Sequence, residues 1–170
     1  LLPNLGVPTT IGVGGLVISN DCDVTVAASL AGEGKLTKTG TGKLTFSGAQ
    51  SFEGGLEVCA GSIGSTLTAN GFATQDLDLS LNLADGETVR LTIDGTPEPG
   101  VNYTLFKSGI TEETLPLLEI DANYELSLED GQLKVRLSPL SLTWTGEGEN
   151  KLWSTVANWR NAPRGPAKFD

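Results

Sequence analysis

Between Gly32 and Ile63 the chain reads GEGKLTKTGTGKLTFSGAQSFEGGLEVCAGSI, a run of short alternating strands separated by glycine. A strand of four or five residues buries its apolar face only when a neighbour covers it, so this run demands stacking on something like itself. The chain supplies the partner. GKLTK at 34–38 recurs as GKLTF at 42–46, and GGLVIS at 14–19 recurs as GGLEVC at 54–59, an offset of forty residues. The short echo gives a strand–turn–strand unit, and the long one a solenoid or an array. Strands are expected at 16–18, 22–28, 34–38, 42–47, 56–59 and 62–68, with glycine supplying the positive φ of tight corners. Leu36, Leu44 and Phe46 should face inward, while Thr37, Lys38 and Thr45 should meet solvent or a neighbouring coil.

Beyond Ala69 the pattern changes. Leu77, Leu79, Leu81 and Leu83 alternate with polar residues, Asp85-Gly86 follows, and Val89, Leu91 and Ile93 alternate again, so 76–93 reads as a β-hairpin. Tyr103–Phe106 is a further strand, and 124–128 with 133–137 form a second hairpin around Asp130-Gly131. Only 111–119 has the look of a short helical turn. No segment repeats apolar residues at helical spacing for three turns, and no run of about eighteen apolar residues could span a membrane.

In the 32–63 stretch the chain resembles the autotransporter-associated β-strand repeat of large secreted or surface bacterial proteins. The likeness lies in Gly-x-Gly-x-Leu-x-Lys-x-Gly at Gly32–Gly40, Gly-x-Leu-x-Phe-Ser-Gly at Gly42–Gly48, and Gly-Gly-x-x-Val before Ala60-Gly61. It covers about one copy, with a partial copy ahead of it. The family's aromatic-Thr-Gly-Gly-Thr is replaced by Phe52-Glu53-Gly54-Gly55-Leu56, which alters outward polar positions. The resemblance implies a right-handed parallel β-helix with a structural or export role, neighbouring repeats in a parent chain, and a location in the secreted fraction or at the outer membrane surface. It extends to Gly-x-x-Tyr-x-Leu-Phe at Gly100–Phe106 and to a tryptophan motif, Thr-Trp-x-Gly, Trp-Ser and Asn-Trp, at Trp144, Trp153 and Trp159. In that pattern 163–170 would begin a following module.

The net charge of −10 argues against a nucleic-acid partner, because phosphate binding needs clustered Lys and Arg. The seven acids and no base between Glu112 and Asp130 read as a solvated face, with a weak Ca²⁺ or cationic-partner site as the alternative. Cys22 and Cys59 read either as a disulfide between stacked coils or as two small apolar residues. The chain contains no His, which removes the usual general base and the commonest metal ligand; no metal or cofactor is expected. Carboxylate pairs are the catalytic device that remains: Asp21 with Asp23 on one strand face, Glu112 with Glu113, or Asp94 in a turn that only faintly resembles the Asp-Thr-Gly of aspartic proteases. The absence of Met and the start at Leu1 read as a trimmed or excised piece.

The fold class expected is all-β: a short right-handed parallel β-helix over 1–70, an antiparallel β cap or sandwich over 71–139, and a Trp-rich tail over 140–170. The function expected is that of a structural or adhesive module without catalysis of its own, meeting a host glycoprotein, a mucin or a polysaccharide. Two alternatives stand beside it. One is an acid-pH, aspartic-type hydrolase of mucin-like protein or glycan using Asp21, Asp23 or Asp94. The other is a carbohydrate-binding module using Trp144, Trp153 and Trp159, because pyranose faces pack on indole rings.

Overall fold

The computed structural model describes residues 7–138, 142–150, 152–155, 158–161 and 165–166. The chain divides into two compact units, Leu1–Leu137 and Ser138–Asp170. In the first, the strands in chain order are β1 (Thr9–Thr10), β2 (Leu16–Ser19), β3 (Val24–Val26), β4 (Leu30–Gly32), β5 (Leu36–Thr39), β6 (Lys43–Phe46), β7 (Ser51–Phe52), β8 (Leu56–Val58), β9 (Ser62–Thr68), β10 (Gly71–Phe72), β11 (Leu79–Leu81), β12 (Val89–Asp94), β13 (Asn102–Phe106), β14 (Leu118–Glu119), β15 (Tyr124–Glu129) and β16 (Gln132–Leu137). They wind into a β-solenoid of about four turns. Sheet I holds β2, β5, β8 and β11; sheet II holds β3, β6, β9, β12 and β14; sheet III holds β1, β4 and β7. All pairing along these three sheets is parallel, and β10 adds to β9 in antiparallel sense.

Over the first three coils the period is about twenty residues, and it lengthens to 23 at β11 and 28 at β12. Leu16 stands opposite Leu36, which stands opposite Leu56. The forty-residue echo between 14–19 and 54–59 therefore spans two coils, and the eight-residue echo joins adjacent faces of one coil, β5 and β6. Inside, side chains stack in columns: Leu36, Leu56 and Leu79 on sheet I, and Leu44, Ile63 and Leu91 on sheet II, each at most 2% exposed. Burying each contributes roughly 1.5–3 kcal/mol. Leu36, Leu44 and Phe46 face inward as expected.

Three expectations need correction. Sheet III is missing from the sequence reading, because β1 and β7 have two residues each, too few to display a period of two. The hairpin expected at 76–93 does not form: β11 pairs with β8, and β12 with β9, both parallel. The open edges of β8 and β9 were ready templates for the next coil, and Asp85-Gly86 lies in the corner between sheets, so parallel pairing extends well past residue 70. Lys38, expected to meet solvent or a neighbouring coil, is fully buried with its stem in the inward column, whereas Thr45, 5% exposed, does lie against the neighbouring coil at Gly64. Parity explains the lysine: two residues after Leu36 the side chain points inward again.

The second hairpin is present. β15 and β16 pair antiparallel through Asp130-Gly131, both at positive φ (52° and 76°), and β13 joins β16 on its other side. A 3-10 helix at Leu115–Leu117 fills the expected helical turn. In the second unit β17 (Leu142–Trp144), β18 (Trp159–Asn161) and β19 (Gly165–Pro166) form an antiparallel sheet. Residues 163–164 and 167–170 of the expected following module lie outside the described residues.

Coils approach so closely at the corners that most corner glycines admit no side chain. A Cβ on Gly34 would sit 1.9 Å from the Gly12 carbonyl oxygen, whereas one on Gly14 meets nothing within 4 Å. Gly34→Ala should cost more than about 2 kcal/mol, and Gly14→Ala less than about 0.5 kcal/mol. Urea unfolding of the two variants side by side checks this; equal losses would contradict the packing described.

Candidate functional site

The corner between sheets I and II carries most of the titratable residues singled out in the sequence. Asp21 and Asp23 lie in the turn ahead of β3 rather than on a strand face. Asp21 Oδ1 accepts the Thr41 amide at 3.3 Å, and Asp23 Oδ1 accepts the Lys43 amide at 3.1 Å. Each carboxylate thus fastens the first coil to the second, and the Lys43 ammonium stands 3.9 Å from Asp23. Asp94 ends β12, three coils further along the stack and at the opposite end of the sheet II strand. Three strand spacings of about 4.8 Å keep it from sharing a proton with Asp21 or Asp23. Glu112 and Glu113 are exposed in the turn before the 3-10 helix.

Cys22 and Cys59 are both free thiols, Cys22 exposed and Cys59 half-buried. Cys22 belongs to the first coil and Cys59 to the third, where its amide donates to the Lys38 carbonyl. Two rungs separate them by about 9.6 Å, beyond the reach of a disulfide. The near-forty spacing that suggested a bond marks two coils, not one.

The same corner holds an arrangement that the sequence reading missed. The Lys38 stem fills the inward column between Ile18 and Val58, and its Nζ donates to the carbonyls of Gly40 (2.6 Å), Thr39 (2.9 Å) and Ala60 (3.1 Å). Burial lowers its pKa from the ordinary value, and the neighbouring Asp21 and Cys59 oppose that shift. One coil earlier, Asn20 donates to the carbonyls of Cys22 (2.9 Å) and Lys43 (3.1 Å), while its Oδ1 is buried without a partner. At the corner between sheets II and III, buried Gln50 donates to Ala28 and Gly48 and accepts the Leu30 amide at 2.9 Å. These three side chains satisfy backbone groups that glycine corners leave without ladder partners. The usable signal was Lys38 itself, a charge at inward parity.

In the second unit Asn158, fully buried, is the hub. Its Nδ2 donates to the carbonyls of Asn150 (2.7 Å) and Leu152 (2.9 Å), and its Oδ1 accepts the Gly148 amide at 2.8 Å. Around it, Trp144 and Trp153 stack with centroids 6.1 Å apart and planes 15° from parallel. They remain 40% and 76% exposed. Trp159 stands opposite Trp144 in the sheet; its side chain lies outside the described residues.

A cleft of about 420 Å³ between Ser51–Glu53 and Lys107 includes Asp76 and Asp78. Asp78 Oδ1 accepts the Ser108 hydroxyl and lies 3.9 Å from the Lys107 ammonium, so its charge is already paired. Among the described residues no three Cys, Asp or Glu side chains converge as a metal ion would need, the acidic stretch at 112–130 included.

Replacing Lys38 by Met leaves the carbonyls of Gly40 and Ala60 without this donor, while Thr39 keeps the Asn20 amide, and should destabilise the chain by about 1–3 kcal/mol. A lowered pKa means that the unfolded chain holds the Lys38 proton up to pH 10.5 while the folded chain releases it earlier. The stability of the parent relative to Lys38→Met should therefore rise as pH climbs through the window just below 10.5, and fall again as pH drops through the folded-state pKa. Urea titrations of both proteins between pH 7 and 10.5 measure this; a flat difference would refute it. No family model, no curated protein and no solved structure matches this chain.

Proposed function

We propose that the chain is a structural module of a secreted or surface-displayed bacterial protein of the autotransporter type, a length of shaft that holds a shape and presents its flanks to other molecules. The observation that supports this reading is the twenty-residue coil register, with β1, β2 and β3 each leaving one edge of its sheet unpaired among the described residues. An edge of that kind is completed by another coil of the same repeat. Each coil touches only its neighbours, so stability and length grow together. Asp21 and Asp23 each accept an amide of the next coil, a role in the stack that supports the structural reading over the hydrolase.

Length should be adjustable. Inserting a second copy of residues 14–33 directly after Glu33 adds one coil in register and should raise the thermal midpoint by roughly 2–8 °C with unfolding still cooperative. A lowered midpoint would show that the coils are not interchangeable and would sink the shaft reading. Turnover of a mucin or peptide substrate between pH 4 and 8, abolished by Asp21→Asn or Asp23→Asn, would replace it with the hydrolase.

The exposed Trp144–Trp153 pair favours a second reading, contact with neutral glycan through pyranose faces. Trp153→Ala should then weaken binding to immobilised polysaccharide about tenfold, a difference of about 1.4 kcal/mol. Unchanged retention on the same matrix would confine both indoles to a packing role.

A further inference from the structure

At the C-terminal end of the solenoid the last strands are covered only in part. On sheet I the Leu79 amide donates to the Ser108 carbonyl at 2.9 Å, and Asp78 bridges Ser108 in parallel. Behind β10, the buried Thr74 hydroxyl donates to the Leu105 carbonyl at 2.7 Å. On sheet II, β14 covers β12 at Val89 and Arg90 only, through Leu118 and Glu119. β12 runs on to Asp94, laddered to β9 along 90–94. Leu91–Asp94 thus have a full ladder on one side and, among the described residues, no register partner in a strand on the other. In a parallel ladder every second residue turns both its N–H and its C=O to the same neighbour, so two of these four residues offer a donor and an acceptor outward.

A second observation coincides with the first. The open edge borders a groove of about 320 Å³, with Leu91, Thr92 and Ile93 on one side and Ile120, Asp121 and Tyr124 on the other. Ile93, Ile120 and Tyr124 are half-buried against the core, which gives the groove apolar walls. Burial and the Asp121 carboxylate raise the Tyr124 phenol above its ordinary pKa, so it stays a neutral hydrogen-bonding group there. Asp121 is exposed, as is Asp94 at the far end of the edge, and both belong to the half of the chain that is richer in acids. The exposed Arg90 also lines the groove, at its near end where β14 already pairs, so the acidic character belongs to the Asp121 wall and the Asp94 end.

We propose that this groove is a β-augmentation site for a partner protein, taking an extended segment of three or four residues that is apolar at alternate positions and basic where it lies over Asp94 and Asp121. The segment pairs with Leu91–Asp94 in the space that β14 leaves, over about 13 Å of edge. Main-chain bonds hold it; the walls formed by Ile93, Ile120 and Tyr124 take its apolar side chains, and the two carboxylates set its charge. The groove binds whether or not further coils precede the first one. With so few pairs the isolated motif is weak, with a Kd of about 0.1–1 mM.

The test is a titration of the isotope-labelled chain with the end-blocked peptide Lys-Val-Thr-Val-Lys, followed residue by residue through its amide resonances. The expected result is saturable shifts confined to 90–94 and 120–124, with binding at least about tenfold weaker when both valines of the peptide are N-methylated. Ile120→Lys should abolish the shifts while the rest of the spectrum stays that of the parent. Absence of saturable shifts, shifts elsewhere, or equal binding of the N-methylated peptide would overturn the proposal; the last two outcomes require no variant to fold. A concentration-dependent dimer that protects the same amides without peptide would also overturn it, by giving the edge to a second copy of this chain.

Discussion

Everything in the first unit depends on one constraint: neighbouring coils must pair in parallel at the spacing of a backbone hydrogen bond, simultaneously on more than one sheet. A solenoid closes its own sheets only along its axis, so the chain must turn each corner without lifting the next strand out of register. At Gly34 the corner passes within contact distance of the coil below, and at Gly40 the backbone takes φ 80° directly above Asn20. A Cβ at either position would push two coils apart. The loss would then spread beyond one contact, because the leucine columns on both flanking sheets share that spacing.

The corners also explain which polar groups are inside. Strand residues find ladder partners, but a turn between two parallel sheets leaves carbonyls aimed inward with nothing to accept from. Lys38, Asn20 and Gln50 reach into those turns from the strand or the corner itself. Each bridges adjacent coils, so these buried polar side chains act along the axis in the same direction as the ladders. Asp21 and Asp23 do the equivalent from outside. Each carboxylate accepts an amide from the next coil through one of its oxygens and so helps to hold the stack.

Much of this was legible in the residues, and the exceptions have physical causes. Inward Leu36, Leu44 and Phe46 followed from alternation, and the second hairpin from Asp130-Gly131, whose two positive φ angles suit a tight two-residue turn. The Leu77–Ile93 alternation was equally clear but ambiguous. A half-buried strand carries the same pattern whether its partner is the next strand in sequence or the edge of the preceding coil, here 23 and 28 residues back, and only the open edges of β8 and β9 decide. The third sheet left no trace because two-residue strands have no period. Lys38 was misplaced because its charge outweighed its parity in the reading, although a lysine stem is long enough to lie among aliphatic side chains and still deliver its ammonium to a corner. For the Trp-rich tail the sequence showed the aromatic cluster but not Asn158, whose amide organises the loop that presents Trp153.

The Lys38 ammonium has a consequence for how the stack is indexed. The columns around it are built from interchangeable aliphatic side chains, and a coil of such side chains packs nearly as well one rung up or one rung down. A single ammonium meeting three carbonyls breaks that translational degeneracy. Slipped by one coil, it would lose the Ala60 carbonyl of the adjoining rung, and that oxygen would be left without this donor. Lys38 therefore works as a fiducial mark within a repetitive lattice, giving one rung an address that the others lack.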